Sequence, residues 1–248
     1  MNSPNHLLEA RNLVKRFGDH LALDQLNLSV AEGEVVCLLG ANGAGKTTTI
    51  NLFLGFLQPD SGTALVGGID VSKDPIDARK RLAYLPENVA LYPKLSGLEN
   101  LTFFDRLAGH QHSEAELAAM LLKVGLPETA HHQRAHAYSK GMRQKVGIAI
   151  AMAKDARILL LDEPMSGLDP SAANSLGELI CQLRDEGRAV LMATHDIFRA
   201  KEIGNRIGIM MRGRLREVLN ASELDAKDIE QIYLQHMHGS EIEALKVA

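Results

Sequence analysis

Cysteine is scarce in this chain. Cys37 and Cys181 are the two in 248 residues, and they offer no metal-ligand spacing. Such usage predicts a reducing, cytosolic compartment. Cys37 lies inside an apolar run and is expected to be buried and inert. No apolar run approaches the ~18 residues that a membrane-crossing helix needs. The opening residues MNSPNHLLEA lack the basic segment and apolar stretch of a secretory leader, so none is expected. Positive charge is not in excess either: the formal net charge is -4, which disfavours nucleic acid as the main partner. Internal repeats and sustained heptads are missing.

What is present is an ordinary globular composition, 46% apolar and 23% charged, long enough for one large domain or a core with a lobe. Residues 7–13 and 21–30 read as strands, the second alternating apolar and polar residues as a half-buried strand does. Another short apolar run, 34–39 (EVVCLL), follows, and Gln58-Pro59-Asp60-Ser61-Gly62 marks a turn before a strand at 63–66. Between 91 and 154 the pattern becomes mostly helical, over 98–107, 113–124 and 142–153. In the last of these, Met142, Val146, Ala149, Ile150 and Ala153 fall on one stripe. Runs at 158–161, 189–193 and 207–211 suit buried parallel strands, with helices expected at 171–186 and 197–203.

Residues 34–39 lead straight into Gly40-Ala41-Asn42-Gly43-Ala44-Gly45-Lys46-Thr47, which fits G-x-x-x-x-G-K-[ST], and a helix is expected at 46–54. Gly40, Gly43 and Gly45 allow backbone torsions that let successive N–H groups converge on one anion. Asn42, Ala44 and Thr48 complete the loop. The helix N-terminus adds partial positive charge and Lys46 a full one, suited to β- and γ-phosphates. The Thr47 hydroxyl is placed to bind Mg²⁺. This predicts a nucleoside triphosphate site. A second constellation, Ile158-Leu159-Leu160-Leu161-Asp162-Glu163, puts two carboxylates at the C-terminal end of a buried strand, where open α/β sheets bind ligands. There Asp162 can hold Mg²⁺, and Glu163 can polarise a water for attack on the γ-phosphate.

With these two constellations in place, the chain resembles the ATP-binding subunit of an ABC transporter over about residues 7–215. Five further motifs stand in that family's order: Lys15-Arg16-Phe17-Gly18, Tyr84-Leu85-Pro86-Glu87-Asn88, Tyr138-Ser139-Lys140-Gly141-Met142-Arg143-Gln144, Ser166-Gly167-Leu168-Asp169 and Thr194-His195-Asp196. The resemblance implies an α/β fold: a P-loop NTPase (RecA-like) core with an antiparallel β subdomain and an inserted helical subdomain. The implied division is 1–91 for the antiparallel β subdomain and first part of the core, 92–154 for the helical subdomain, 155–215 for the rest of the core, and 216–248 for a helical tail.

ATP and Mg²⁺ are the implied cofactors. In that scheme Phe17 stacks on adenine, Glu87 senses the γ-phosphate and Mg²⁺, and Glu163, His195 and Lys46 carry hydrolysis. Ser139, Gly141 and Asp169 act at the ATP of a second ATP-binding subunit, expected to be an identical copy. Ser139 precedes its helix as an N-cap would, and its hydroxyl and the following N–H groups form an anion site. Integral membrane permease subunits complete the implied assembly, on the cytoplasmic face of the inner membrane and most simply for export.

Three positions depart from the family's usual pattern. Glu87 stands in place of glutamine, Lys140 in place of the first signature glycine, and Met142 in place of the signature glutamine. They recur in a subset that resembles antibiotic exporters and the accessory ATPases of copper-enzyme maturation, as does Tyr92-Pro93-Lys94-Leu95-Ser96-Gly97. The helix 98–107 has a start signal, Ser96 as N-cap with Glu99 completing a capping box, and 92–101 is the candidate permease-docking surface. A soluble relative acting in translation or DNA repair would call for tandem duplication or a long coiled coil. A GTPase would call for N-K-x-D, which is missing. His110 and His112, His132 and His136, and His236 and His238 have spacings a metal could use, but solvated histidines are the expectation.

Overall fold

A computed structural model describes residues 5–245. The chain opens with a long hairpin, β1 (His6–Phe17) and β2 (His20–Ala31), followed by β3 (Val35–Leu39) and α1 (Lys46–Phe53). Next come β4 (Ser61–Val66), β5 (Ile69–Asp70), α2 (Pro75–Lys80) and β6 (Leu82–Leu85). Four helices then run together: α3 (Gly97–Leu107), α4 (Glu114–Lys123), α5 (Glu128–His131) and α6 (Lys140–Ala153). The chain closes with β7 (Ile158–Asp162), α7 (Pro170–Asp185), β8 (Ala189–Thr194), α8 (Ile197–Ile203), β9 (Arg206–Met211), β10 (Arg214–Asn220) and α9 (Ala226–Leu245).

Two sheets organise these elements. β2, β1, β4 and β5 form a four-stranded antiparallel sheet, and β10, β9, β3, β8, β7 and β6 form a six-stranded one. All neighbours in the second sheet are parallel except the β9–β10 edge hairpin. The apolar runs of β3, β7 and β8 show no alternation because both faces of this sheet are covered. Val35, Cys37 and Leu39 join one apolar cluster with the helices α6 to α8, whereas Val36 and Leu38 join another with α1 and the antiparallel sheet. Each such fully buried aliphatic side chain stabilises the fold by about 1.5–3 kcal/mol. Burial pushes the Cys37 thiol far above its usual range, and both cysteines are free.

Several local signals hold. Ser96 accepts from Glu99 N while Glu99 Oε2 accepts from Ser96 N, at 3.1 and 2.7 Å, closing the expected capping box on α3. A second box, Ser113 with Glu116, starts α4. Two expectations change. Residues 216–220, read as part of a helical tail, belong to the edge strand β10. Helix α6 is not a one-stripe helix: Gly141, Gln144, Ile148 and Ala151 are buried along with Val146, Ala149 and Ala153. It packs on α3, α4, β6 and α7, and its buried positions fall on more than one face. Among the described residues no helix is long and apolar enough to cross a membrane.

Candidate functional site

The phosphate loop leaves the C-terminal end of β3, which lies between β8 and β9 in the sheet interior. Ligands of open α/β sheets gather at such carboxyl ends. A cleft of about 320 Å³ opens there, lined by Phe17, His20, Ala22, residues 41–48, Glu87, Asp162 and Glu163. Gly40 itself is spared a side chain for packing, not for torsion, because a Cβ there would strike the Met210 carbonyl oxygen. Gly45 answers both demands. Its φ is +107°, and a Cβ would come within 2.8 Å of Ala22 O, Leu23 Cδ2 and Met210 Cε. Gly45→Ala should therefore lower folding stability by about 2–3 kcal/mol, read as a shifted urea midpoint with unchanged slope.

Lys46 is almost completely buried and folds back over the loop. Its Nζ donates to the carbonyls of Gly40 and Ala41 at 2.5 and 3.2 Å and lies 3.5 Å from Glu163 Oε1. Thr47 Oγ1 donates to Asp162 Oδ1 at 3.4 Å. Burial pushes the Asp162 carboxyl up; the Thr47 hydrogen bond opposes that shift and the neighbouring Glu163 charge adds to it. Tyr84 is pushed up as well, by burial and then by the Asp162 charge. Thr47, Asp162 and Glu87 offer a hydroxyl and two carboxylates, the hard oxygen donors Mg²⁺ prefers. The Thr47–Asp162 contact brings two of these donors together, a pair that fits the ion, whereas the Glu87 carboxylate is held by Ser166 and Lys140.

Glu163 sits just past β7 with φ of +48°, a left-handed conformation that costs a non-glycine residue about 1–3 kcal/mol. Its backbone N–H still donates to Ala193 O at 2.9 Å, and its Oε2 lies 2.9 Å from His195 Nδ1. Oε1 is buried with no hydrogen-bond donor, its nearest cation being Lys46 at ion-pair distance. This side chain thus has one fixed oxygen and one uncommitted oxygen facing the loop lysine. His195 follows β8, its ring 60% exposed, and lines a neighbouring cavity with Glu163, Ser166 and Arg199.

Phe17 is 47% exposed at the cleft rim rather than in the core, with Lys15 Nζ 5.6 Å from its ring centroid. Ser139, Gly141 and Asp169 do not line this cleft. They form a separate group: Ser139 Oγ accepts from Met142 N at 3.2 Å, Asp169 Oδ1 accepts from Ala172 N at 2.9 Å, and Gly141 packs on Ala172. Glu87 joins the two groups. It lines the cleft, yet its Oε1 accepts from Ser166 Oγ at 3.0 Å and from Lys140 Nζ at 3.3 Å. The Ser166 hydrogen bond, and then Lys140, hold its carboxyl below the usual range.

Three participants were not legible as site residues: His20 and Ala22 on the cleft wall, and Gln144, whose Nε2 donates to Glu87 O at 2.8 Å. No motif marks His20 or Ala22; only the hairpin turn brings them there. The histidines also differ from expectation. His112 Nδ1 lies 2.6 Å from the fully buried Asp105 carboxylate, and His236 pairs with Glu217 at 2.8 Å, so these two are paired rather than merely solvated. The side chain of His238 lies outside the described residues.

Comparison with known proteins agrees with this geometry. Residues 23–166 match the family described as ABC transporter. The chain is 40% identical over 212 residues to the human retinal-specific phospholipid-transporting ATPase ABCA4, covering 83% of this chain and 9% of that one. It therefore spans only a small part of that relative. It is 34% identical over 245 residues to Nod factor export ATP-binding protein I of Cupriavidus metallidurans, covering 97% and 79% of the two chains. Among solved structures, a dimeric post-hydrolysis state of the ATP-binding cassette MJ0796 bound to ADP and Pi superposes with a TM-score of 0.77 at 25% identity, covering 86% of this chain and 98% of that one. The chain belongs to the ABC transporter family, as an ATP-binding cassette.

Proposed function

We propose that this chain binds and hydrolyses ATP as the motor subunit of an export transporter, working as a pair of identical copies beneath integral membrane permease subunits. The observation that carries this reading is the meeting of Lys46, Thr47, Asp162 and Glu163 at one end of the parallel sheet. Lys46 and the loop N–H groups would hold the β- and γ-phosphates, and Phe17 would stack on the base. Thr47 and Asp162, with Glu87, would hold Mg²⁺, which offsets triphosphate charge when bound. Glu163 would take the proton of the attacking water, and His195, already beside it, would orient that carboxylate.

Ser139, Gly141 and Asp169 lie outside the cleft that the phosphate loop lines, which suits a site completed by a second copy. The solved relative is described as a dimer bound to ADP and Pi, which supports a two-copy assembly. On this reading Ser139→Ala lowers turnover by about 10–100-fold, the loss expected for one hydrogen bond to a charged group. Nucleotide affinity of the dilute monomer stays unchanged. Steady-state phosphate release beside equilibrium nucleotide binding checks both halves; unaltered turnover would contradict the two-copy site.

The permease would dock against the lobe near Tyr92, whose ring packs edge-on against Phe103 with centroids 4.8 Å apart and 49% of the residue exposed. An adjacent groove is lined by Leu95, Leu98, Phe103, Arg106 and Arg134. Export is supported by the name of the Nod factor relative, and attachment to the cytoplasmic face follows from the need for ATP.

A further inference from the structure

Two of the three departures from the family's pattern touch one another. Glu87 Oε1 and Lys140 Nζ are 3.3 Å apart, and the same oxygen takes the Ser166 hydroxyl. Neither charge is well placed alone. Lys140 is the first residue of α6, where a helix terminus disfavours a cation. Glu87 adds a third carboxylate to a cleft that already contains Asp162 and Glu163. As a pair they neutralise each other between the helical lobe and the core.

The backbone on both sides is fixed. Gln144 Nε2 holds Glu87 O at 2.8 Å, and Ser139 caps α6. A rotation of the Glu87 side chain is therefore enough to exchange partners.

We infer that Lys140 is a positioning residue that holds the Glu87 carboxylate toward the helical lobe in the nucleotide-free chain, so that recruiting Glu87 to Mg²⁺–nucleotide costs the Glu87–Lys140 pair. The inference rests on the ATP reading of the cleft. Breaking the pair has a second consequence. It frees the Lys140 ammonium beside Ser139, on the surface that meets the triphosphate of a second copy. Filling of one cleft thereby prepares the opposite half-site, a coupling that neutral glutamine and glycine at these positions would not provide. Lys140 and Ser166 both bind the same oxygen, Oε1, so together they fix the orientation of the Glu87 carboxylate.

The test is a double-mutant cycle on the full chain with Lys140→Ala, Glu87→Gln and both together. Binding of a fluorescent trinitrophenyl-ATP is measured with and without Mg²⁺, at dilution where the chain is monomeric. Lys140→Ala should tighten Mg²⁺–nucleotide binding roughly 2–5-fold, the range for an exposed ion pair, and leave Mg²⁺-free binding unchanged. In the Glu87→Gln background the same substitution should have no effect, and Lys140→Arg should keep the wild-type isotherm. Thermal melts without nucleotide confirm that each variant is folded. An equal effect of Lys140→Ala in both backgrounds, or one independent of Mg²⁺, overturns the inference while leaving the ATP reading intact. Failure of the wild-type chain to bind Mg²⁺–nucleotide overturns both.

Discussion

Glu163→Gln should lower ATP turnover by about 10²–10⁴-fold while leaving ATP binding in place, because a positioned general base supplies that much of the rate. The substitution keeps the size and the shape of the side chain. It removes the capacity to take a proton from water at Oε1, the buried oxygen that has no hydrogen-bond donor, together with the negative charge that faces Lys46. Two consequences separate this from simple damage. Bound ATP would persist, so the two-copy form would accumulate and be visible by sedimentation as a species of doubled mass in ATP but not in ADP. Single-turnover hydrolysis would slow by at least the same factor as steady-state hydrolysis, since the lost step is chemistry and not product release. A variant that hydrolyses within a few-fold of the wild-type rate would remove Glu163 from the role of base.

Lys46→Ala acts one step earlier. The Lys46 side chain is 6% exposed, and its ammonium reaches two loop carbonyls and approaches Glu163 Oε1 at 3.5 Å. Its removal takes away the full positive charge proposed to hold the β- and γ-phosphates. The expected result is loss of ATP-induced thermal stabilisation, which for the wild-type chain is worth about 2.7 kcal/mol at a ligand concentration 100 times Kd. The nucleotide-free variant should also be less stable by about 1–3 kcal/mol, because Glu163 Oε1 is left buried without its nearby cation. Differential scanning fluorimetry with and without Mg²⁺–ATP reads both effects. An undiminished upward shift would contradict the place given to Lys46.

Much of this site was legible because its parts are contiguous in sequence. Residues 40–48 and 162–163 announce a strand, a loop and a pair of acids, and β3 and β7 do end where those residues begin. What brings them together is long-range: β3 and β7 are not neighbours but flank β8, so the distance from Thr47 to Asp162 depends on strand order. Strand order is decided by packing on both sheet faces, which periodicity does not reveal. The same limit hid the Glu87–Lys140 contact, which spans 53 positions, and the walls contributed by His20 and Ala22. β10 escaped notice for a different reason. Arg214–Asn220 is an edge strand with charged and exposed positions, so it lacks the apolar run that marked β3, β7 and β8. The stripe from Met142 to Ala153 gives helix α6 an amphipathic pattern, but Gly141, Gln144, Ile148 and Ala151 make up a second packed face.

The central claim is that the cleft above β3 grips a triphosphate that Ser139 from a second copy closes over. A crystal structure of the Glu163→Gln variant grown with Mg²⁺–ATP tests this directly. The account predicts two chains related head to tail, with ATP along residues 40–48 of one and the Ser139 hydroxyl of the other against its γ-phosphate. A nucleotide bound elsewhere, or one enclosed by a single chain with Ser139 of the second copy far from it, would contradict the account.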